Sequence, residues 1–317
     1  MKAMIQTTYG EAEVLRFADI DKPVAGDDEV LLRVQAAGVD IGTWHLMAGK
    51  PYLLRLGFGL RGPKIPTRGR EVAGRVEVVG KNVTQFKPGD EVFGICDGSF
   101  AEYAVARPSK LALKPANLTF DKAAVVPISG TTALQGLQRL QEGQRALIIG
   151  AAGGVGSFAV QLAKSFGAHV TGVCSTTKLD LVRSLGADEV VDYTREGLGD
   201  GRYDFILDTA GNRSLKVLRR SLARDGTLVI VGGEGGGSLH GGLDRVLRAA
   251  LLTPFVSQKL LGLLVTENAA DLDRLRTIIE KGELTPVIAR TFQLAEAADA
   301  VRLLRHGHPG GKVVVTI

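Results

Sequence analysis

The chain has 317 residues, and since a domain takes about 150 residues, this length predicts two domains. Hydrophobic residues make up 45% of the chain, enough for two cores, which excludes intrinsic disorder. The net charge is +5 with no block of Lys or Arg, so the charge barely favours anionic partners. The chain has only two cysteines, Cys96 and Cys174, which excludes a disulfide framework and a four-thiolate zinc site.

The sequence gives no indication of a targeting or membrane segment. Polar residues at positions 6–8 interrupt the apolar start, so we expect no cleavable signal and a cytoplasmic protein. The most apolar stretch, 246–265, contains Arg248, Pro254 and Lys259, which makes it a poor membrane span. Its ordinary interpretation is an amphipathic helix pair; a pocket lid, a dimer contact and a membrane-surface helix remain open.

Short strands separated by Gly and Pro turns predict a β-rich, barrel-like domain over residues 1–122. The predicted strands are 29–37, 73–79, 91–94 and 100–106.

Strands and helices alternate over residues 123–265, which predicts a doubly wound parallel sheet. The predicted strands are 145–149, 168–174, 189–192, 204–208 and 227–231, and the predicted helices are 155–166 and 178–185. A helix over 296–304 and a strand over 311–317 predict that residues 266–317 return to the first domain. The expected fold class is therefore α/β, with the doubly wound domain inserted into the β-rich one.

A glycine-rich turn between the predicted strand 145–149 and the following helix is typical of dinucleotide binding. It has the form Ala151-x-Gly153-x-x-Gly156, a variant of G-x-G-x-x-G with Ala first. Gly153, Gly154, Val155 and Gly156 are the candidate pyrophosphate contacts, because glycine allows close backbone approach at a helix N-terminus. The alternative is a glycine-rich turn without a ligand.

The residues after the second predicted strand favour NADPH over NADH. An NAD site places an acidic residue here for the ribose, whereas this chain has Ser175 and Lys178 and no carboxylate before Asp180. A hydroxyl and an ammonium suit a 2′-phosphate. The alternatives are a helix N-cap for Ser175 and a solvated first-turn lysine for Lys178.

Ordered motifs along nearly the whole chain resemble one known family. They are Gly38-Val39, Gly69-Arg-Glu-Val-Ala-Gly74, Pro88–Gly94, Pro127–Ala133, Ala151–Gly156 and Gly311-Lys-Val-Val-Val315. The chain resembles the medium-chain dehydrogenase/reductase superfamily, in its zinc-independent quinone oxidoreductase branch, and bacterial proteins labelled NAD(P)-dependent alcohol dehydrogenases. The resemblance implies a Rossmann domain inserted into a GroES-like β-rich domain, and a homodimer.

The positions of the family's zinc ligands favour a protein without metal. Asp40, Arg70 and approximately Ile128 stand where zinc members have a cysteine, a histidine and a further cysteine. Since catalytic zinc needs about three good protein ligands, no metal is expected. Without a Lewis acid the hydride acceptor must already be electrophilic, as a quinone or an activated α,β-unsaturated carbonyl is.

The candidate catalytic residues lie in one segment of the first domain. Asp40 is predicted to bind the nicotinamide ribose or the substrate; its alternative is an N-cap or Asx-turn. His45 is a candidate proton donor; its alternative is a packed or surface histidine. Tyr52, with Trp44, is a candidate wall of a flat substrate pocket within an apolar loop over 52–60; its alternative is local packing.

The resemblance adds three candidate cofactor contacts, which are Thr132, Tyr193 and Lys312. Gly232 and Gly233 are candidates because they follow the fifth predicted strand of the sheet, and ligands of open α/β sheets bind at the carboxyl ends of strands. The alternatives are a helix start for Thr132, a surface ring for Tyr193 and an exposed lysine for Lys312. Glu71 is interpreted as structural.

These observations predict a zinc-independent, NADPH-dependent oxidoreductase that passes hydride to a quinone or an activated enone. An enone or 2-alkenal double-bond reductase is the nearest alternative, followed by a carbonyl reductase. A crystallin-like or nucleic-acid-binding protein that holds NADPH without turnover is the alternative from another class. No specific nucleic-acid partner is expected, because the sequence has no aromatic RNA-binding motif or basic stripe.

Overall fold

The computed structural model describes residues 1–231 and 242–317. The chain divides into two compact units. The first consists of residues 1–131 and 266–317, and the second of residues 132–265.

The strands of the described chain, in order, are β1 Lys2–Ile5, β2 Arg16–Asp19, β3 Val30–Val39, β4 Glu71–Val79, β5 Glu91–Ile95, β6 Tyr103–Ala106, β7 Leu111–Leu113, β8 Arg145–Ile149, β9 His169–Cys174, β10 Glu189–Asp192, β11 Tyr203–Asp208, β12 Leu222–Ile230, β13 Lys259–Gly262, β14 Ile288–Gln293 and β15 Lys312–Thr316. The α-helices are α1 Ile41–Ala48, α2 Arg55–Phe58, α3 Phe120–Ala124, α4 Pro127–Gly136, α5 Gly154–Ser165, α6 Leu179–Ser184, α7 Leu215–Ser221, α8 Leu243–Leu252, α9 Ala269–Glu280 and α10 Ala297–His306.

The second unit contains the doubly wound sheet that the sequence predicts. Its described strands are all parallel, in the order β10-β9-β8-β11-β12-β13. Apolar residues such as Leu147, Ile206 and Leu228 are buried in its core. The order reverses between β8 and β11, and ligands of open α/β sheets bind at the carboxyl ends of the strands at such a point. The Rossmann-type architecture expected from the sequence is confirmed.

The apolar stretch 246–265 is not a helix pair. It contains most of α8, followed by strand β13, which pairs in parallel with β12 at the edge of the sheet. A side chain on Gly262 would overlap Val246 of α8, so the helix lies close against the strand. The expectation failed because four residues are too few to show strand periodicity. Within the described ranges, no helix is both long and apolar enough to cross a membrane.

The first unit is β-rich, with a sheet in the order β14-β15-β3-β4-β5-β7 and β6 paired to β3. The carboxyl-terminal strand β15 pairs antiparallel with the end of β3, where Val313 lies opposite Val39. Residues 266–317 therefore return to the first unit. Helix α3 packs on β3 and β4, and the division of the chain falls at 131/132 rather than at the expected 122/123. The antiparallel pair β1–β2 is an element that the sequence analysis did not predict.

Candidate functional site

A glycine-rich turn joins the carboxyl end of β8 to the amino end of α5. Gly150 has a left-handed backbone with φ +79°, and the amide of Gly153 donates to its carbonyl oxygen at 2.9 Å. Gly153 is the N-cap of α5, and Gly154 and Val155 begin the helix. Because the first amides of a helix lack intrahelical acceptors and lie at the positive end of its dipole, this turn is suited to a pyrophosphate.

Gly156 lets α5 approach this turn closely. A Cβ at position 156 would overlap the carbonyl oxygen of Gly150 and lie 2.8 Å from the Cα of Ala151. Both neighbours are backbone, so they cannot move aside as a flexible side chain could. Position 156 therefore needs glycine for the packing of helix against turn.

The loop after β9 presents Ser175 and Lys178 at the carboxyl edge of the same sheet. Ser175 has the N-cap position of a short turn over Thr176–Lys178, but within the described residues its side chain makes no capping hydrogen bond. Lys178 is half-buried rather than solvated, and burial lowers the pKa of its ammonium. A cation held partly out of water gains from a nearby anion, so this loop suits a phosphate.

Asp192, at the end of β10, fixes this loop. Its carboxylate accepts hydrogen bonds from the hydroxyls of Thr176 at 2.5 Å and Thr194 at 2.7 Å, and the Thr176 bond is the main reason that the pKa of Asp192 is lowered. Sequence reasoning missed it because the search for an acidic residue stopped at the loop directly after β9. The signal was the parallel pairing of neighbouring strands, which places Asp192 opposite Cys174.

The surroundings of the other predicted cofactor contacts in the second unit do not decide between a functional and a structural interpretation. Tyr193 is exposed, as its surface alternative requires, and its amide donates to the carbonyl oxygen of Cys174. Thr132 is buried on α4. Gly232 and Gly233 lie outside the described residues.

In the first unit, Asp40 caps helix α1. Its buried carboxylate accepts hydrogen bonds from the amide of Thr43 at 3.1 Å and from the hydroxyl of Thr43 at 2.7 Å. The capping alternative is confirmed, and it holds the carboxylate in one orientation. Contact with a nicotinamide ribose or a substrate stays a prediction.

His45 and Tyr52 have different environments, and their catalytic roles stay predictions. His45 is half-buried, with its Nδ1 atom 2.8 Å from the carbonyl oxygen of Lys50 and its ring in a T-shaped contact with that of Trp44. Trp44 is buried in the core of the first unit, as its local-packing alternative describes, and its role as a pocket wall stays a prediction. Tyr52 is 43% exposed, with the Arg55 guanidinium 4.8 Å from its ring.

Lys312 forms a buried ion pair in the first unit. Only 2% of the residue is exposed, which rules out the exposed-lysine alternative. Its Nζ atom donates to Oε2 of Glu71 at 2.6 Å and to Oγ of Ser129 at 3.1 Å. The pair joins β15 to β4 across 241 residues of sequence.

Glu71 is fully buried, and burial raises its pKa above the ordinary value against the opposing effect of the Lys312 ammonium. Its other oxygen accepts a hydrogen bond from the amide of Ile128 at 2.9 Å. A carboxylate with both oxygens bound inside the fold supports the structural interpretation of Glu71.

Arg70, at a position compared above with a zinc ligand of the family, is held by Glu267. The Glu267 carboxylate binds the Arg70 guanidinium and lies 2.7 Å from Nζ of Lys110. These cations lower the pKa of Glu267 despite its partial burial. Among residues 1–231 and 242–317, no group of three or more His, Cys, Asp or Glu side chains could hold a metal ion.

The groups of each unit are suited to binding and orienting a ligand. The second unit offers helix-terminal amides and a half-buried lysine at the edge of a Rossmann-type sheet. Such an arrangement suits a redox cofactor that performs the bond chemistry itself. The first unit offers the fixed carboxylate of Asp40 and the imidazole of His45.

Two family descriptions match the chain. Residues 26–116 match the alcohol dehydrogenase GroES-like domain, and residues 185–315 match the family described as zinc-binding dehydrogenase.

Individual proteins resemble it over nearly its whole length. The NADPH-dependent alkenal/one oxidoreductase of Arabidopsis thaliana is 35% identical, and the 2-methylene-furan-3-one reductase of Solanum lycopersicum is 34% identical; each match covers 99% of this chain and 79% of the relative. Among solved structures, the quinone oxidoreductase of Coxiella burnetii superposes with a TM-score of 0.87 at 28% identity, over 100% of this chain and 99% of that one.

Proposed function

The chain belongs to the medium-chain dehydrogenase/reductase superfamily, in its quinone oxidoreductase branch, and from this premise we propose that it is an NADPH-dependent reductase of quinones or activated α,β-unsaturated carbonyls. The observation that carries the proposal is the glycine turn between β8 and α5, at the point where the parallel sheet reverses its strand order. Names of relatives at 34% and 35% identity support the choice of acceptor, since both describe reductases of conjugated carbonyls or furanones.

The cofactor residues divide by the part of NADPH they would hold. The turn over 153–156 would bind the pyrophosphate through backbone amides, and Ser175 and Lys178 would bind the 2′-phosphate. Tyr193 and Thr132 would contact the remainder of the cofactor. Lys312 is buried against Glu71 in the first unit, so we expect it to support the site through that ion pair.

The chemistry requires few protein groups. When bound, NADPH supplies a hydride, which together with one proton saturates a conjugated double bond or reduces a quinone, leaving NADP⁺. Asp40 would orient the reacting partners, and His45 or solvent would provide the proton. Tyr52 would contact the flat acceptor.

We further propose that the reaction needs no zinc. Asp40 already accepts two hydrogen bonds from Thr43, and Arg70 and Ile128 supply no metal donor at the other two family positions. Protein treated with a chelator and assayed by elemental analysis should keep full activity without zinc. Loss of activity that Zn²⁺ restores would contradict this.

A homodimer in the cytoplasm completes the proposal, by analogy with the family. Light scattering of the purified protein should give about twice the chain mass. A monomer at working concentration would remove the dimer from the proposal.

The test of the function is NADPH oxidation with a matched panel of acceptors. The panel contains a benzoquinone, a larger ortho-quinone, a 2-alkenal, an enone and a simple saturated aldehyde, each also run with NADH. We expect turnover of quinones or enones and none of the saturated aldehyde, because only conjugated acceptors stabilise the added charge without a metal. Tight NADPH binding with no turnover of any acceptor would favour a binding protein instead.

A further inference from the structure

The first unit contains a cavity beside the candidate Asp40. Its volume is about 150 Å³, and Thr43, whose hydroxyl binds the Asp40 carboxylate, forms part of its wall. Other parts of the wall are apolar, contributed by Leu46, Phe58 and Ile65. A cavity of this size has room for a body about as large as benzene.

Arg68 lines this cavity and has no counter-ion within residues 1–231 and 242–317. The residue is only 7% exposed, and its buried Nε atom has no hydrogen-bond partner among the described residues. No carboxylate of the described chain lies within ion-pair distance of it, although Asp97, also in the wall, acts on it electrostatically from further away. Burial lowers the pKa of the guanidinium, which reflects the cost of holding this charge away from water.

The other basic side chains of the wall are already engaged. Arg70 is paired with Glu267, and Nζ of Lys64 donates to the carbonyl oxygen of Gly57 at 3.0 Å. A buried guanidinium whose Nε–H has no acceptor is costly unless an anion reaches the group, and its planar fork matches a carboxylate. The cavity thus combines an apolar wall with one unsatisfied cationic end.

We propose that this cavity recognises a carboxylate carried by the substrate, with the Arg68 guanidinium as its partner. The inference rests on the proposed reduction of conjugated carbonyls and narrows it to short-chain oxo-enoic acids, in which one end is ionised and the other is a conjugated ketone. Thr43 connects this site to Asp40, so the bound acid lies next to the group proposed to orient the reacting atoms.

Binding is measured first, without any reaction. The probe is 4-oxopentanoate, a saturated and therefore unreactive acid, compared by calorimetry with its uncharged methyl ester, in the absence and presence of saturating NADP⁺. We expect the acid to bind at least 10-fold more tightly than the ester in both conditions. Equal affinities would overturn the inference, and loss of the preference when NADP⁺ is bound would show that a cofactor phosphate uses Arg68 instead.

Variants then assign the preference to Arg68. Arg68→Met keeps an unbranched, flexible side chain but removes the guanidinium and its charge, and should abolish the preference for the acid. Arg68→Lys should keep part of it, since the charge remains without the fork. Arg107→Met, at an exposed arginine outside the cavity, should leave it unchanged. NADPH affinity reports whether each variant is folded. If Arg68→Met does not fold, the lysine variant and the comparison of acid with ester still decide whether Arg68 recognises the carboxylate.

Kinetics separate this inference from the proposed function. With (E)-4-oxopent-2-enoate, Arg68→Met should raise KM about 10- to 100-fold. The same variant should change KM for uncharged 3-penten-2-one less than threefold. If no enone is reduced although the acid binds preferentially, the proposed function fails and the carboxylate site stands. If both enones are reduced equally well by wild type and variant, the carboxylate site fails and the function stands.

Discussion

We expect Lys178 to be the single residue with the most direct effect on the choice between NADPH and NADH. Its half-buried ammonium lies in the loop fixed by Asp192, where a 2′-phosphate would add a charge-assisted hydrogen bond. We expect Lys178→Ala to weaken NADPH binding by about 1–3 kcal/mol more than NADH binding, measured by fluorescence titration. Lys281→Ala, at an exposed lysine of the first unit, is the control. Equal losses for both cofactors would contradict the assignment.

Lys312 has the largest expected effect on stability. Lys312→Met leaves the Glu71 carboxylate buried without its counter-ion, so chemical denaturation should show a loss of about 3–5 kcal/mol near neutral pH. The raised pKa of Glu71 sets the sign of the pH dependence. A carboxyl group with a raised pKa contributes most to the free energy of unfolding when the pH is below its unfolded-state pKa of 4.5. That contribution declines as the pH rises through the folded-state pKa.

The variant should therefore be less destabilised at pH 5 than at pH 8, because removing the ammonium raises the pKa of Glu71 further. The double variant Lys312→Met/Glu71→Gln removes both charges and keeps an oxygen for the Ile128 amide, so it should recover much of the loss. A loss of unfolding free energy that is the same at pH 5 and pH 8 would contradict this explanation of the Lys312–Glu71 pair.

For single residues, the sequence indicated which positions matter better than it indicated the residues that they contact. Gly156 and Asp40 could be singled out because their roles depend on near neighbours in the chain. The pairing of Lys312 with Glu71 could not, because no local pattern records a contact across 241 residues. Arg68 could not either, since only the folded chain shows that its guanidinium is buried.

Among the helices and strands, α5 offers a test of how far the glycine turn depends on close packing against the helix that follows it. Gly156→Ala places a methyl group against the backbone of Gly150 and Ala151. The helix must shift, which should cost about 1–3 kcal/mol of stability and weaken NADPH binding. Thermal unfolding and NADPH titration measure the two effects. Gly197→Ala is the matched control, because a Cβ there meets no atom within 4 Å; equal effects of the two substitutions would argue against the steric explanation.

The elements that the sequence revealed best are the central parallel strands. A strand such as β8 is buried on both faces and therefore appears as a short, continuous apolar run after a turn. β13 was missed because it is short and follows the apolar residues of α8, so the two elements could not be separated within one apolar stretch of sequence. The pair β1–β2 was missed because each strand has only four residues, with exposed positions in both.

For the whole molecule, the division into two units predicts two unfolding transitions. Each unit has its own buried apolar clusters, so each can unfold cooperatively. Differential scanning calorimetry should show two transitions, and NADPH should raise that of the unit with the glycine turn more than the other. A ligand at 100 times its Kd adds about 2.7 kcal/mol to the state that binds it. A single transition that NADPH shifts as a whole would contradict independent units.

The return of the chain to the first unit has a consequence for its synthesis. The ribosome adds about 5–20 residues per second, so the codon for Lys312 is translated roughly 12–50 s after that for Glu71. The whole second unit is synthesised within that interval, whereas β3 still lacks its neighbour β15 and Glu71 lacks its counter-ion. The first unit of the nascent chain therefore stays incomplete until its last strand has been synthesised, although most of its residues are made first.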